Sequence, residues 1–403
     1  MWNNGKSSWI GIIIILTIVW GSGYWFGVTK GYYQRIDSQN LWLSWRQNIA
    51  GYESVPNIGL YSDVIDLLED KYYGDIDYID LLYGSIKGAV DSVGDSYTSF
   101  ADPGESKEFF SNLNGTYEGV GIELDIIDDR LVIVSPLEGS PAKTAGLLPK
   151  DEILSIDGVS AIGMTLPEAV KAIHGTRGTA VDFIINRVDE DPFEVSVTRD
   201  VIRIPSVQLV EFRGDMAIME IAKFSNDTEK LFNRTVSDIL KKGSKGVVVD
   251  LRNNPGGFLD VGVKVTNEFL DTGMIVEERF KSGKTIPFYS DGSGRLAHLP
   301  IVVLVNNGSA SASEILAGAL QDNNRGSVMG MPTYGKGSVQ EIEQLPDGSS
   351  LRVTVAHWYT PLGRSISQEG ILPDILIEEG ESDTPDIQLE GAIAELKKLI
   401  SKQ

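Results

Sequence analysis

Apolar and polar residues follow two rhythms along this chain, and the change of rhythm divides it. From Leu60 to about Val93, apolar residues recur at helical spacing: Val64, Leu67 and Leu68, then Leu81, Leu82, Ile86 and Val90. Tyr72-Tyr73-Gly74-Asp75 interrupts the run, so two short amphipathic helices are expected. Asp102-Pro103-Gly104 reads as a turn, and Glu105 to Leu113 as a further short helix. At Tyr117 the period becomes two. Strands are predicted at 121–126, 131–134, 153–156, 181–186 and 194–198, with one clear helix at 166–173. Many short strands with few helices predict a small, partly open β-barrel.

From about Val201 strands and helices alternate. Strands are expected at 217–221, 247–250, 301–305 and 351–356, and helices at 228–242, 260–270 and 312 to about 321. The Val247-Val248-Val249 and Ile301 to Val305 runs are fully apolar, as strands covered on both faces are. Such repetition predicts a layered α/β core. A last helix, 387–399, lies beyond an acidic turn at 378–386.

The first 30 residues stand apart. Ser7 to Thr29 carries no charge over 23 residues. As helix that run measures roughly 35 Å, enough for a hydrocarbon layer of about 30 Å. Trp9, Trp20, Tyr24 and Trp25 suit the interfaces. The expectation is a transmembrane anchor, the alternative a signal peptide cleaved near Gly21-Ser22-Gly23. The division expected is therefore 1–30 anchor or signal segment, 31–115 linker and helical region, 116–200 barrel, 201–380 α/β core and 381–403 C-terminal helix.

Composition narrows the chemistry. A chain of 403 residues with net charge −22 repels nucleic acid, so no nucleic-acid partner is expected. It has no cysteine, which excludes thiol nucleophiles and cysteine-ligated metal. The three histidines, His174, His298 and His357, lack metal-motif spacing. No metal or cofactor is expected.

Three segments could carry chemistry. At 300–314 a buried strand ends in a small-residue loop containing Ser311, and a helix follows. A hydroxyl at a helix N-terminus sits where free N–H groups favour a developing oxyanion. The same pattern also suits a plain cap, with Glu314 completing a capping box. Lys336 lies between two glycines in a stretch, 326–340, otherwise free of Asp, Glu and Arg. To serve as a base its pKa of about 10.4 has to fall by roughly three, a desolvation cost of about 4 kcal/mol. Finally, Val247 to Gly257 is a buried strand emptying into a Gly-Gly turn that can aim N–H groups outward. Asp250 and Arg252 there can simply pair. His298 is expected at the start of a strand and His357 in one, neither with an orienting carboxylate.

These segments together resemble the carboxy-terminal processing (tail-specific) proteases. VVVDLRNNPGG at 247–257, GSASASEILAGALQD at 308–322, YGKGSVQ at 334–340, VAHWYTPLGRSI at 355–366 and GILPD at 370–374 stand in the family's order and spacing. The resemblance covers nearly all of 59–378. It implies a layered α/β serine-protease core, ClpP/crotonase-like, with an inserted PDZ domain. It also implies a Ser–Lys dyad of Ser311 and Lys336, with Gln340 orienting the lysine. If that segment is helical, i and i+4 put Lys336 and Gln340 on one face. The oxyanion donors implied are the N–H groups of Ala312 and of one glycine, Gly257 in preference to Gly256. Ser309 and Ser313 become cap or packing residues.

Residues 117–200 resemble a PDZ domain. Glu118-Gly119-Val120-Gly121-Ile122 is similar to its carboxylate-binding loop, and 140–147 with 151–158 to its helix and following strand. Gly119, Val120, Gly121 and Ile122 are the implied peptide-binding residues. His174 stands where family members often carry arginine; the plain reading is a solvated helix end. The function implied is a serine endopeptidase acting on proteins or peptides with free C-terminal tails. A membrane-anchored, extracytoplasmic location is expected, with the amino terminus inside and a homo-oligomer possible. Two other readings stay open: a catalytically silent PDZ scaffold on the same core, and a serine hydrolase using His357 as base.

Overall fold

In a computed structural model, the structure describes residues 59–402, apart from 129, 138, 189, 368, 379 and 381–385. The expected anchor, the linker up to residue 58 and most of the acidic turn lie outside the described residues. Among those described, no helix is long and apolar enough to cross a membrane. The chain divides into two compact units at Leu81/Leu82. The described part of the first contains α1 (Gly59–Lys71) and the start of α2 (Tyr78–Asp91), where Tyr78 Oη donates to Glu69 at 2.9 Å. These are the two helices the spacing predicts.

In the second unit, β1 (Ser99–Ala101) is followed by α3 (Pro103–Leu113). The Asp102-Pro103-Gly104 turn proves to be the start of this helix. Asp102 caps it, accepting from Gly104 N and Glu105 N, and Pro103 occupies its first turn, where a missing N–H costs nothing.

The next module is a sheet of β3 (Ile122–Ile127), β4 (Arg130–Pro136), β5 (Glu152–Ile156), β7 (Ala180–Asn186) and β8 (Phe193–Thr198), in that order. The short β6 (Val159–Ser160) pairs with β5. Helices α4 (Pro141–Thr144) and α5 (Leu166–Ile173) cover it, and α5 has the predicted bounds. Alternate residues Val181, Phe183 and Ile185 enter its core beside Ile133 and Ile156. β2 (Thr116–Gly119) enters this module and β9 (Asp200–Arg203) leaves it, paired antiparallel. An insertion with its ends so clasped can be held by a host fold without disturbing it.

The host is a six-stranded sheet: β10 (Val207–Arg213), β11 (Met216–Ile221), β12 (Gly246–Asp250), β15 (Ile301–Val305), β16 (Ser327–Gly330) and β19 (Ile375–Leu376). Only the β10–β11 pair is antiparallel. Helices α6 (Thr228–Lys242), α7 (Leu259–Asn267) and α8 (Ala312–Asp322) pack on one face, and α9 (Ile387–Ser401) on the other. Val247, Val249, Val303 and Val305 point to the first face; Val248, Val302 and Leu304 to the second. Burial on both sides explains the unbroken apolar runs. A further antiparallel sheet joins β1, β18 (Ser350–Tyr359), β13 (Met274–Phe280) and β14 (Thr285–Tyr289), with β17 (Ser338–Gln344) on the other edge of β18.

Three expectations change. The 260–270 helix ends at Asn267. His298 lies in an exposed turn before β15, 3.5 Å from Asp271. The segment after Lys336 is strand, not helix.

Candidate active site

β12 and β15 run parallel, with Asp250 beside Leu304, so the loops leaving their carboxyl ends lie next to one another. Such loop ends are where α/β sheets commonly hold ligands. Asn254, fully buried, joins the two. Its Nδ2 donates to Ile221 O (2.6 Å), its Oδ1 accepts from Gly256 N (2.8 Å), and its carbonyl accepts from Ala310 N (2.9 Å) and Ser313 Oγ (3.0 Å). Ser309 Oγ donates to Leu251 O at 2.8 Å. Ser309 and Ser313 are thus packing residues, as expected.

Ser311 sits at the N-cap of α8 with φ 54° and ψ −113°. A plain cap residue is extended with negative φ, and a non-glycine in this region is strained. Glu314 does return a hydrogen bond to the Ser311 N–H (2.8 Å), so a cap pattern exists. Capping alone gives no reason for the strain; a nucleophile turned toward a pocket does.

The Gly-Gly turn leaves one donor free. Gly256 O accepts from Phe224 N and Phe224 O from Phe258 N, each at 2.8 Å. This bridge passes over the Gly257 N–H, which has no partner among the described residues. The Ala312 N–H, first in α8, also has none. Both glycines have positive φ, 93° and 146°. A Cβ on Gly256 would lie 2.6 Å from Ala310 O, and one on Gly257 2.0 Å from Phe224 O.

Lys336 is half-buried in the turn before β17. Its Nζ donates to Gln340 Oε1 at 3.2 Å and lies 5.4 Å from the centre of the Tyr97 ring. Gln340 Nε2 in turn donates to Tyr97 O. The contact expected of a helix is therefore made by a loop and the strand that follows it: Lys336 precedes β17 and its side chain folds back on Gln340 in the strand. Burial holds the Lys336 pKa below the ordinary lysine value, the Arg352 charge adds to this, and Glu314 opposes both.

Glu314 is fully buried and accepts four hydrogen bonds. Oε2 takes Ser311 N and Lys336 N (3.0 Å); Oε1 takes Thr333 Oγ1 and Gly335 N, each at 2.6 Å. Burial raises its pKa against those bonds. One carboxylate thus clamps the serine loop to the lysine loop. Its sequence signal was a cap position only. Tyr97 and Arg352 had no signal, because they arrive from distant segments.

Ser311, Lys336, Gln340 and Gly257 line one pocket of about 420 Å³, with Phe258 and Trp358 among its apolar walls. No hydrogen bond joins Ser311 Oγ to Lys336 Nζ. A larger pocket, about 730 Å³, is lined by Tyr97, Tyr334 and His357 but by neither Ser311 nor Lys336. His357 there faces Ser367 Oγ at 3.2 Å, which removes it as a base for Ser311. Asp250 pairs with Arg252, as the plain reading had it.

In the inserted module, β3 pairs only with β4 and keeps an open edge among the described residues. Gly121 has φ 74°, and a Cβ there would lie 2.5 Å from Ser140 Cβ. Leu137 N and Ala142 N hold the Gly121 and Val120 carbonyls at 2.9 Å, which fixes the loop. His174 is no solvated helix end. It is half-buried and stacked on Tyr117, with centroids 4.8 Å apart, and burial lowers its pKa.

Comparison with known proteins agrees with this architecture. The profile of peptidase family S41 matches residues 215–377, and that of the PDZ domain residues 111–186. The chain is 35% identical over 312 residues to the carboxy-terminal processing protease CtpA of Bacillus subtilis, covering 77% of this chain and 67% of that one. It is 36% identical over 355 residues to a "Probable CtpA-like serine protease" of Staphylococcus aureus, covering 87% and 70%. Among solved structures it resembles a photosystem II D1 C-terminal processing protease, with 28% identity, TM-score 0.51, and 83% and 90% of the two chains covered. Fold and site together define a serine peptidase that carries a PDZ domain. The chain belongs to the carboxy-terminal processing proteases of peptidase family S41.

Proposed function

We propose that Ser311 is the nucleophile of this peptidase and Lys336 its general base. The observation that carries this is the common pocket: residues from three separate segments, named from sequence alone, line it. Neutral Lys336 leaves Gln340, swings to Ser311 and takes the hydroxyl proton as Oγ adds to the peptide carbonyl. The N–H groups of Gly257 and Ala312 hold the oxyanion. Lys336 then gives its proton to the leaving amine, and water hydrolyses the acyl-enzyme. Gln340 and the Tyr97 ring return the lysine to one orientation between steps.

The finer organisation belongs to the same proposal. Residues 116–200 form the PDZ unit, 201–380 the peptidase core and 381–403 the segment that carries α9. A substrate tail adds to the open edge of β3 while Gly119, Val120, Gly121 and Ile122 receive its carboxylate. Residues 1–30 anchor the enzyme, with the amino terminus inside and the catalytic part extracytoplasmic; the uncharged run 7–29 supports this. Exposed Val64, Leu67 and Leu68 on α1 support a homo-oligomer.

The test is labelling with a fluorophosphonate-type probe, with and without a peptide bearing a free apolar C-terminus. Wild type takes the label and Ser311→Ala does not. Lys336→Ala keeps its melting curve but loses peptide cleavage. Normal turnover by Lys336→Ala ends the dyad assignment.

A further inference from the structure

In a chain of net charge −22, the pocket around Ser311 is lined by three cationic residues, Lys223, Lys336 and Arg352, and by no Asp or Glu. Two of the cations have evident duties. Lys336 is the proposed base, and Lys223 Nζ donates to Asn112 O at 3.0 Å. Arg352 remains. It lies on β18, beside Ile342 of β17 on one side and Ser99 of β1 on the other.

We propose that Arg352 makes this pocket select peptides that present a carboxylate next to the scissile bond. The inference rests on the reading of the pocket as the catalytic one. Arg352 is fixed in place yet unsatisfied. Its guanidinium carbon lies 4.7 Å from the Phe109 ring centre, and its Nε donates to Ser99 Oγ at 3.0 Å. Those contacts use one face and one edge. Its two terminal nitrogens have no partner among the described residues, and it forms no ion pair there. Arg187, Arg252 and Arg364, by contrast, each meet a carboxylate. An arginine held this way keeps a planar fork of donors, the geometry that grips a carboxylate at two points.

The rest of the site agrees. A base that must be neutral is helped by a neighbouring cation, and Arg352 lowers the Lys336 pKa. The apolar walls around the fork reduce solvent screening, which strengthens a charge pair formed on binding. Without an acid in the pocket, that anion has to come with the substrate, as a Glu or Asp side chain or as a nearby chain terminus.

The test uses the full chain as wild type, Arg352→Gln, Arg352→Lys and Ser311→Ala. Each is given peptides carrying one Glu, or Gln in its stead, scanned across the residues on either side of the cut. Each peptide is made as free acid and as amide. In wild type one Glu position, or the free terminus, raises kcat/KM by about tenfold, the scale of one partly exposed charge-assisted hydrogen bond. Arg352→Gln brings that ratio to about one. Arg352→Lys keeps the charge without the fork and retains part of it. A terminal preference counts only if Arg352→Gln removes it, because the PDZ loop also meets that terminus. A ratio near one at every position in wild type, or a preference that survives Arg352→Gln, overturns the proposal. Cleavage by Ser311→Ala overturns the reading of the pocket itself, and the role of Arg352 with it.

Discussion

Glu314 has none of its side chain in water, yet four donors converge on it from the serine loop and the lysine loop. In Glu314→Gln the amide nitrogen turns toward donors and leaves at least one unsatisfied, at about 1–3 kcal/mol each. Urea unfolding of that variant is expected to show the loss. The same change moves activity along the pH axis. If Lys336 is the base, as proposed, cleavage needs it neutral, and the rate is expected to rise with pH through a lysine pKa held below its ordinary value by burial and by Arg352. The Glu314 charge opposes that shift. Removing it carries the rising limb to lower pH, while Arg352→Gln carries it to higher pH. Rate profiles of the two variants displaced in one direction would contradict these assigned influences. Ser311 and Lys336 stood out in the sequence because each sits in a short motif of small residues, and Gln340 through the family resemblance of that motif. Tyr97 was not: its carbonyl meets Gln340 across 243 positions, and no local pattern encodes such a meeting.

The Gly-Gly turn after β12 shows what an element adds to its residues. Gly256 packs against the serine loop so closely that a Cβ meets Ala310 O at 2.6 Å and Ala312 N at 2.9 Å. Gly256→Ala is therefore expected to push the serine loop and the free N–H of Ala312 out of position. The expected result is a fall of about a hundredfold in kcat with a smaller change in KM, as for loss of one oxyanion donor. An unchanged kcat would show that the turn yields without disturbing the donors. Helix α5 and strand β15 were read to the residue, the helix from its apolar periodicity and the strand from an unbroken apolar run. β17 was missed. Its first residues, Ser338-Val339-Gln340, are too few to show a period.

Across the whole molecule, α9 shields one face of the central sheet, with Ala392, Ile393 and Leu396 over Val248 and Val302. Arg252, two residues past β12, ties that helix down through Asp386 and Gln388. Burial pushes the Asp386 carboxyl up, but Arg252 together with the backbone N–H groups of Leu389 and Gln388 outweighs this and holds it below the usual range. That contribution to stability is present at neutral pH and lost as pH falls through the lowered pKa. Arg252→Ala is expected to cost about 2 kcal/mol, less than a fully buried pair because Asp386 is partly in water. The measurement is the urea midpoint at pH 7, and the difference from wild type should shrink in acid. Fold class and module order were legible in the sequence, since each module has its own rhythm. The joining of the first strand to a late one was not. Because β1 pairs with β18, and Tyr97 holds Gln340, the lysine finds its bracing only when both ends of the catalytic region exist. Chain order separates the parts of that brace: β1, β13 and β14 leave the ribosome before Ser311, and β17 and β18 after Lys336, so the sheet around the lysine closes only once Tyr359 has been made.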